Sequence, residues 1–122
     1  MLAVDTHLLI AFFAGTLRAD ERAMMDAEGW GVSAIVLWEL FDLVSQGRVR
    51  MDLEDSEFNR DLTRLHVWPI TVHVCRQLRL LDFRSDPADE IIAATSLAHG
   101  VPLLTRDARI LASKVVPLAL VP

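Results

Sequence analysis

Residues 86–107, DPADEIIAATSLAHGVPLLTRD, predict a helix followed by a short buried strand. Pro87 suits the first turn of a helix, so Asp86 is the natural N-cap residue. Apolar and small residues then recur at helical spacing up to a glycine, which is typical of a helix end. The apolar run 102–104 is the strand, and another acid follows it. This unit delivers carboxylates at a helix N-terminus and at a strand exit, where ligands bind in open α/β sheets.

The composition indicates one globular domain, which we expect to span residues 1–122. Hydrophobic residues make up 52% of the chain and charged residues 24%, a balance that argues against disorder. The formal net charge of -5 at pH 7 lacks the basic excess typical of nucleic-acid-binding proteins. Because Cys75 is the only cysteine, no internal disulfide can form, and a reducing cytoplasm is the simpler expectation.

The apolar run 8–15, LLIAFFAG, is similar to the core of a signal peptide. An aspartate precedes it where Lys or Arg should stand, and the run is too short to span a membrane. We therefore expect neither an export signal nor a transmembrane helix.

Cys75 lies on the apolar face of a predicted helix. We therefore expect its thiol to lie in the core.

Strands and helices alternate along the rest of the chain. Short connections between alternating strands and helices imply a parallel sheet covered on both faces. The clearest helix, 34–46, begins after Ser33 and ends at Gly47. The predicted strands are residues 2–4, 32, 67–70, 102–104 and 115–120.

Four acids are predicted to approach one crevice of this sheet. Right-handed crossovers put the ends of the first and fourth strands side by side, so Asp5 and Asp107 become neighbours. Asp89, at the start of the helix that feeds the fourth strand, reaches the crevice less directly. Glu39 reaches it if its long helix lies across the carboxyl edge of the sheet.

Each of these acids also has a purely structural interpretation. Asp5 and Asp107 could cap the helices that follow them, and Asp89 could be an acid favoured by the helix dipole. Glu39 is harder to explain in this way, because its helical neighbours are mostly apolar and no Lys or Arg lies three or four residues away. Converging carboxylates repel one another, and a cation removes that repulsion. Oxygen ligands favour Mg²⁺, or alternatively Mn²⁺, over zinc.

Other chemistry-bearing patterns are weak in this chain. It contains no dinucleotide-binding glycine motif, no phosphate-binding loop and no nucleophile elbow. The histidines have no metal-ligand spacing and are expected in packing or surface positions; they are His7, His66, His73 and His99. The tryptophans are expected in the core or in an interface; they are Trp30, Trp38 and Trp68.

Four segments together resemble the PIN-domain nucleases, specifically the VapC-type toxins of bacterial toxin–antitoxin pairs. They are VDTHLLI (4–10), SAIVLWELFDLVSQGR (33–48), DPADEIIAATSLAHGVPLL (86–104) and TRDARI (105–110). None of them is diagnostic alone, but they occur in the family's order and spacing along essentially the whole chain. The resemblance implies a three-layer α/β/α sandwich with a central parallel sheet.

The same resemblance implies an activity and partners. The expected function is Mg²⁺-dependent endonucleolytic hydrolysis of RNA by a cytoplasmic homodimer that a cognate antitoxin blocks. The family's acidic quartet, which serves both as catalytic set and as metal ligands, maps onto Asp5, Glu39, Asp89 and Asp107. Thr105 matches the hydroxyl residue that orients the last acid, and Asp86 is an accessory acid.

Two departures from the family pattern lie beside the quartet. Glu90 stands where close relatives often have Arg, and Arg84-Ser85 replaces a common His-Arg pair. Both leave the four acids intact but bear on substrate and antitoxin contacts. The candidate RNA-phosphate contacts are Arg84, Arg106 and Arg109, although an arginine in such a position is more often just a solvated charge.

Two other functions remain as alternatives. One is a PIN-like domain that keeps its acids but serves only as a binding module. The other is a signalling receiver domain, which requires paired acids after the first strand and a lysine at the end of the fifth. Here Asp5 is followed by Thr6, and the only lysine, Lys114, precedes the last predicted strand. The receiver alternative is therefore disfavoured.

Overall fold

The computed structural model describes residues 1–119, which form a parallel β-sheet flanked by helices. This confirms the predicted α/β class. The strands are β1 (Leu2–Val4), β2 (Trp30–Ser33), β3 (His66–Trp68) and β4 (Leu103–Leu104). The helices are α1 (Thr6–Ala14), α2 (Ala19–Glu28), α3 (Ala34–Ser45), α4 (Ser56–Thr63), α5 (Val72–Gln77), α6 (Pro87–His99) and α7 (Ala108–Leu111), with a 3₁₀ turn at Leu78–Leu80.

The strand order β3-β2-β1-β4 places β1 between β2 and β4. All pairs are parallel, and Val4 lies opposite Leu104 in the register of β1 and β4. The predicted neighbourhood of the first and fourth strand ends is thereby confirmed. The sequence order reverses beside β1, which makes its carboxyl end the switch point where ligands bind in such sheets.

Both faces of the sheet are buried, as expected for parallel strands covered by helices. The strands contribute almost continuous apolar runs, and the helices turn apolar stripes toward them. Leu8 and Leu9 of α1, Leu40 of α3 and Ile92 of α6 are all essentially inaccessible to solvent. Full burial of each such side chain contributes about 1.5–3 kcal/mol to the free energy of unfolding. The core thus fixes α1, α3 and α6, the helices that carry or directly follow Asp5, Glu39 and Asp89.

The predicted final strand, 115–120, is wrong over most of its length within the described residues. Only Leu118 bridges to Leu103, supported by Leu103 N–H to Pro117 O at 2.8 Å and Ala119 N–H to Leu103 O at 2.9 Å. Pro117 has no N–H with which to extend a ladder. Leu120, the last residue of that prediction, lies outside the described residues.

Two details around α5 also differ from the prediction. The predicted strand 67–70 ends at Trp68, because the next residue is a proline. Cys75 is exposed and not in the core, because α5 buries the adjacent Val74 and so turns the next side chain away from the core. Within the described part of the chain, no helix combines the length and the apolar character needed to cross a membrane.

Candidate active site

Asp5 and Thr105 meet where β1 and β4 end side by side. Asp5 is 4% exposed, and its Oδ1 accepts the Leu8 backbone N–H at 2.9 Å. Its Oδ2 accepts a hydrogen bond from the buried Thr105 hydroxyl. Asp5 is therefore both the N-cap of α1, as its structural interpretation predicted, and a residue of the strand-exit crevice.

The environment of Asp5 raises the pKa of its carboxyl group. Desolvation by burial is the main cause, and the nearby Asp89 charge adds to it. The hydrogen bonds from Thr105 and Leu8, and the proximity of His7, act in the opposite direction. The charged form of Asp5 is therefore disfavoured in this environment, and a nearby cation would stabilise it.

Glu39 is half-buried on α3 and accepts a hydrogen bond from the Thr6 hydroxyl. Burial raises the pKa of Glu39, and the charges of Asp89 and then Asp5 raise it further. Three of the predicted acids therefore lie within electrostatic reach of one another. Reasoning from the sequence missed Thr6, although its position directly after Asp5 was the available signal.

Asp89 lies in the first turn of α6 and is held by a hydrogen bond from the segment just before that helix. The Ser85 hydroxyl donates to Asp89 Oδ2 at 2.8 Å, and the Ser85 backbone N–H donates to Glu90 Oε2 at 2.9 Å. Asp86 occupies the predicted N-cap position, but its side chain makes no capping hydrogen bond. Ser85 and Glu90, which belong to the two departures from the family pattern, thus hold the turn that presents Asp89.

Asp107 faces a cleft of about 520 Å³ that it lines together with Asp86 and Asp89. Its Oδ1 accepts the Ile110 N–H at 3.0 Å and so caps α7. Its own N–H donates to Thr105 Oγ1 at 3.0 Å. The Thr105 hydroxyl group therefore links Asp107 to Asp5.

The three candidate RNA contacts lie in different surroundings. Arg109 lines the cleft, and its Nη1 donates to the Arg84 carbonyl at 2.6 Å. Arg84, whose carbonyl accepts that hydrogen bond, is exposed. Arg106 instead forms a two-pronged ion pair with Glu21 of α2, which reasoning from the sequence did not identify.

The donor set suits a hard divalent cation, because its ligands are carboxylate and hydroxyl oxygens. Burial is the main cause of the raised pKa of both Asp5 and Glu39, and the charge of Asp89 adds to each. As the side chains lie, however, no three His, Cys, Asp or Glu groups within residues 1–119 converge on one point. Asp107 lines the cleft but uses one oxygen to cap α7, and hydroxyl groups hold the other three acids. A shared ion would therefore require some of these side chains to rotate.

Comparisons with known proteins agree with this architecture. The chain is 30% identical over 113 residues to Ribonuclease VapC22 of Mycobacterium tuberculosis, covering 88% of this chain and 87% of that protein. It superposes on a chain of a toxin–antitoxin complex from Klebsiella pneumoniae with a TM-score of 0.73 at 18% identity, covering 100% of this chain and 98% of that one. It matches a chain of VapBC2 from Rickettsia felis, solved with a promoter DNA fragment, with a TM-score of 0.74 at 16% identity, covering 97% and 96% of the chains.

The match to a family model completes the assignment. The model of the PIN domain covers residues 2–115, which is nearly all of the chain. The sheet order, the buried Asp5 at the switch point and the acids around it all lie within that match. This chain belongs to the PIN-domain family.

Proposed function

We propose that this chain is a divalent-metal-dependent endoribonuclease and the toxin of a toxin–antitoxin pair. The observation that carries the proposal is the buried Asp5 at the switch point, where β1 and β4 end side by side and Thr105 donates to its carboxylate. The charge of Asp89 raises the pKa of both Asp5 and Glu39, which supports a shared role for these three acids. The relative with 30% identity is a ribonuclease, which supports RNA as the substrate. Toxin–antitoxin complexes among the similar structures support the biological role.

PIN-domain nucleases of the VapC type generally depend on a divalent metal ion. In this chain Asp5, Glu39 and Asp89 would hold Mg²⁺, or alternatively Mn²⁺, directly or through water. Asp107 would complete the site or hold a second ion. When bound, the ion would lower the pKa of an attacking water molecule and neutralise the negative charge that builds on the phosphate.

The chain's own residues orient the acids and receive the substrate. Thr6 and Thr105 hold Glu39 and Asp5 by hydrogen bonds that favour their charged forms. The candidate contacts for RNA phosphates are Arg109, which lines the cleft, and Arg84, whose carbonyl Arg109 contacts. A phosphate contact by Arg106 requires its ion pair with Glu21 to break.

The test is cleavage of single-stranded and structured RNA by the purified protein, with Mg²⁺, with Mn²⁺ and with EDTA. We expect metal-dependent cleavage that disappears in Asp5→Asn and Glu39→Gln. Asp26→Asn, an exposed acid on α2, is the matched control and retains activity. Cleavage that survives EDTA and both site variants contradicts the proposal. Absence of cleavage on every RNA tested favours the alternative of a PIN-like binding module.

The proposed partners are a cognate antitoxin and a second copy of the chain, in the cytoplasm. Large apolar side chains stay on the surface, among them Trp38 at 60% exposure and Val72 at 66%. Such exposure is typical of protein–protein contact surfaces. We expect light scattering to give a dimer mass, and expect a co-expressed cognate antitoxin to co-purify and suppress RNA cleavage. A monomer whose activity the co-expressed antitoxin does not affect contradicts these partner assignments.

A further inference from the structure

An ion pair between the buried Glu21 and the partly exposed Arg106 lies beside the candidate active site and includes none of the four predicted acids. Arg106 Nε donates to Glu21 Oε2 at 2.7 Å, and Arg106 Nη2 donates to Glu21 Oε1 at 2.5 Å. The Glu21 side chain is 4% exposed and that of Arg106 is 33% exposed. This two-pronged geometry fixes the plane of the guanidinium group as well as its charge.

Glu21 is itself held firmly by the start of α2. It is the third residue of that helix, and its Oε1 also accepts the Arg18 backbone N–H at 2.8 Å. This is the carboxylate half of a capping box. The hydrogen bond from Arg106 is the main cause that lowers the pKa of Glu21, so this carboxylate is charged at neutral pH. Glu21 is thus a rigid anchor on one side of the pair.

Arg106 lies in the middle of segment 105–107, and both of its neighbours belong to the candidate site. The Thr105 hydroxyl group donates to Asp5 and accepts from the Asp107 N–H. Asp107 in turn accepts the Ile110 N–H. The flanking elements are short, because β4 has two residues and α7 has four. Few backbone hydrogen bonds therefore hold this segment in place.

We propose that Glu21 is a positioning residue for the active site: through Arg106 it holds segment 105–107 so that Thr105 orients Asp5 and Asp107 faces the cleft. Arg106 is then a tether within the protein and not a contact for RNA phosphates. This inference rests on the proposed nuclease function, since it assigns residues that serve that same site. A purely stabilising ion pair would affect unfolding but not the turnover of folded molecules.

The variants that test the tether are Glu21→Gln, Arg106→Gln and Arg106→Lys. Matched controls are Glu28→Gln, exposed at the end of the same helix, and Arg60→Gln, exposed on α4. Two measurements are made well below the unfolding temperature of each variant. One is kcat and KM for RNA over a range of Mg²⁺ concentrations, and the other is hydrogen exchange at the amides of Asp107 and Ile110.

We expect Glu21→Gln and Arg106→Gln to lower kcat by about 10- to 100-fold, with little change in KM and a higher Mg²⁺ requirement. Exchange should accelerate at Asp107 and Ile110 but not in the central strands. Arg106→Lys should fall between the wild type and Arg106→Gln, because lysine keeps the charge but loses the two-pronged geometry. Both controls should behave as the wild type.

Wild-type kcat and wild-type exchange in folded Glu21→Gln would overturn the proposal. A rise in KM confined to the Arg106 variants would also overturn it and make Arg106 a phosphate contact. If Glu21→Gln does not fold, the partly exposed Arg106 position still gives the result. If the wild type cleaves no RNA, the proposed function fails, whereas the exchange rates at Asp107 and Ile110 still decide whether the tether holds this segment.

Discussion

The Thr105 hydroxyl group donates a hydrogen bond to Asp5 across a sequence separation of 100 residues. The other oxygen of Asp5 accepts the Leu8 N–H at the start of α1. One buried carboxylate is therefore held between the exit of β4 and the first turn of a helix. Because Thr105 also accepts the Asp107 N–H, it couples two of the predicted acids.

Replacement of Thr105 by valine should shift the pH dependence of activity upward. The Thr105 hydrogen bond lowers the pKa of Asp5, so its loss raises that pKa further above the ordinary value. We expect the acidic limb of the kcat/KM profile to move to higher pH and activity at neutral pH to fall by about 10- to 100-fold. Thr105→Ser keeps the hydroxyl group and should retain the wild-type limb. Identical profiles for the two variants contradict this role for the hydroxyl group.

Asp5→Asn should separate stability from activity. Burial raises the pKa of the Asp5 carboxyl group above 3.8 in the folded state. This carboxyl group therefore binds a proton more readily in the folded state than in the unfolded state. The contribution of Asp5 to the free energy of unfolding is therefore fully present below pH 3.8 and is lost as pH rises through the folded-state pKa. Asparagine carries no charge, so the variant does not lose stability as pH rises in this way. Its amide oxygen can still accept the hydrogen bond from the Leu8 backbone N–H. In urea unfolding at pH 7 with EDTA, we expect the variant to be at least as stable as the wild type.

The control for that comparison is Asp26→Asn, because Asp26 is an exposed acid on α2. At pH 7, the free energy of unfolding of this control should differ from that of the wild type by less than about 0.5 kcal/mol. A lower free energy of unfolding for Asp5→Asn than for the wild type at pH 7 would show that Asp5 stabilises the fold in its charged form.

Addition of Mg²⁺ should raise the unfolding temperature of the wild type. An ion that binds only the folded state stabilises it by about 2.7 kcal/mol at a hundred times its Kd, which corresponds to roughly 10 °C in a domain of this size. Asp5→Asn and Glu39→Gln should lose this shift, and EDTA should reverse it in the wild type. Calorimetry with and without Mg²⁺ measures it. An equal shift in both variants would place the ion elsewhere.

Gly31→Ala should destabilise the sheet at the contact between β2 and β3. An added Cβ would lie 2.7 Å from the His66 backbone oxygen, closer than van der Waals contact allows. We expect a loss of about 1–3 kcal/mol in the free energy of unfolding, measured by urea titration. The same change in a His66→Ala background should cost as much, because the nearest clash is with backbone. Recovery of stability in that background would instead assign the clash to the His66 side chain.

The sequence alone identified the elements that depend on local signals. Capping residues, the proline at the start of α6 and apolar periodicity predicted the alternation of strands and helices, and parallel topology placed the exits of β1 and β4 together. The positions of Asp5 and Asp107 at those exits follow from the same reasoning. Their use as helix caps is equally local, since each accepts an N–H three residues ahead.

The tertiary structure decided which groups became partners. The Thr6–Glu39 hydrogen bond and the Glu21–Arg106 ion pair join residues 33 and 85 positions apart, and no local pattern predicts either. Cys75 is exposed and Leu118 forms only a single bridge to the sheet. Both outcomes also depend on which other segments pack in the core and pair with β4. Local backbone preferences act over a few residues, whereas pairing and burial depend on the three-dimensional packing of the whole chain.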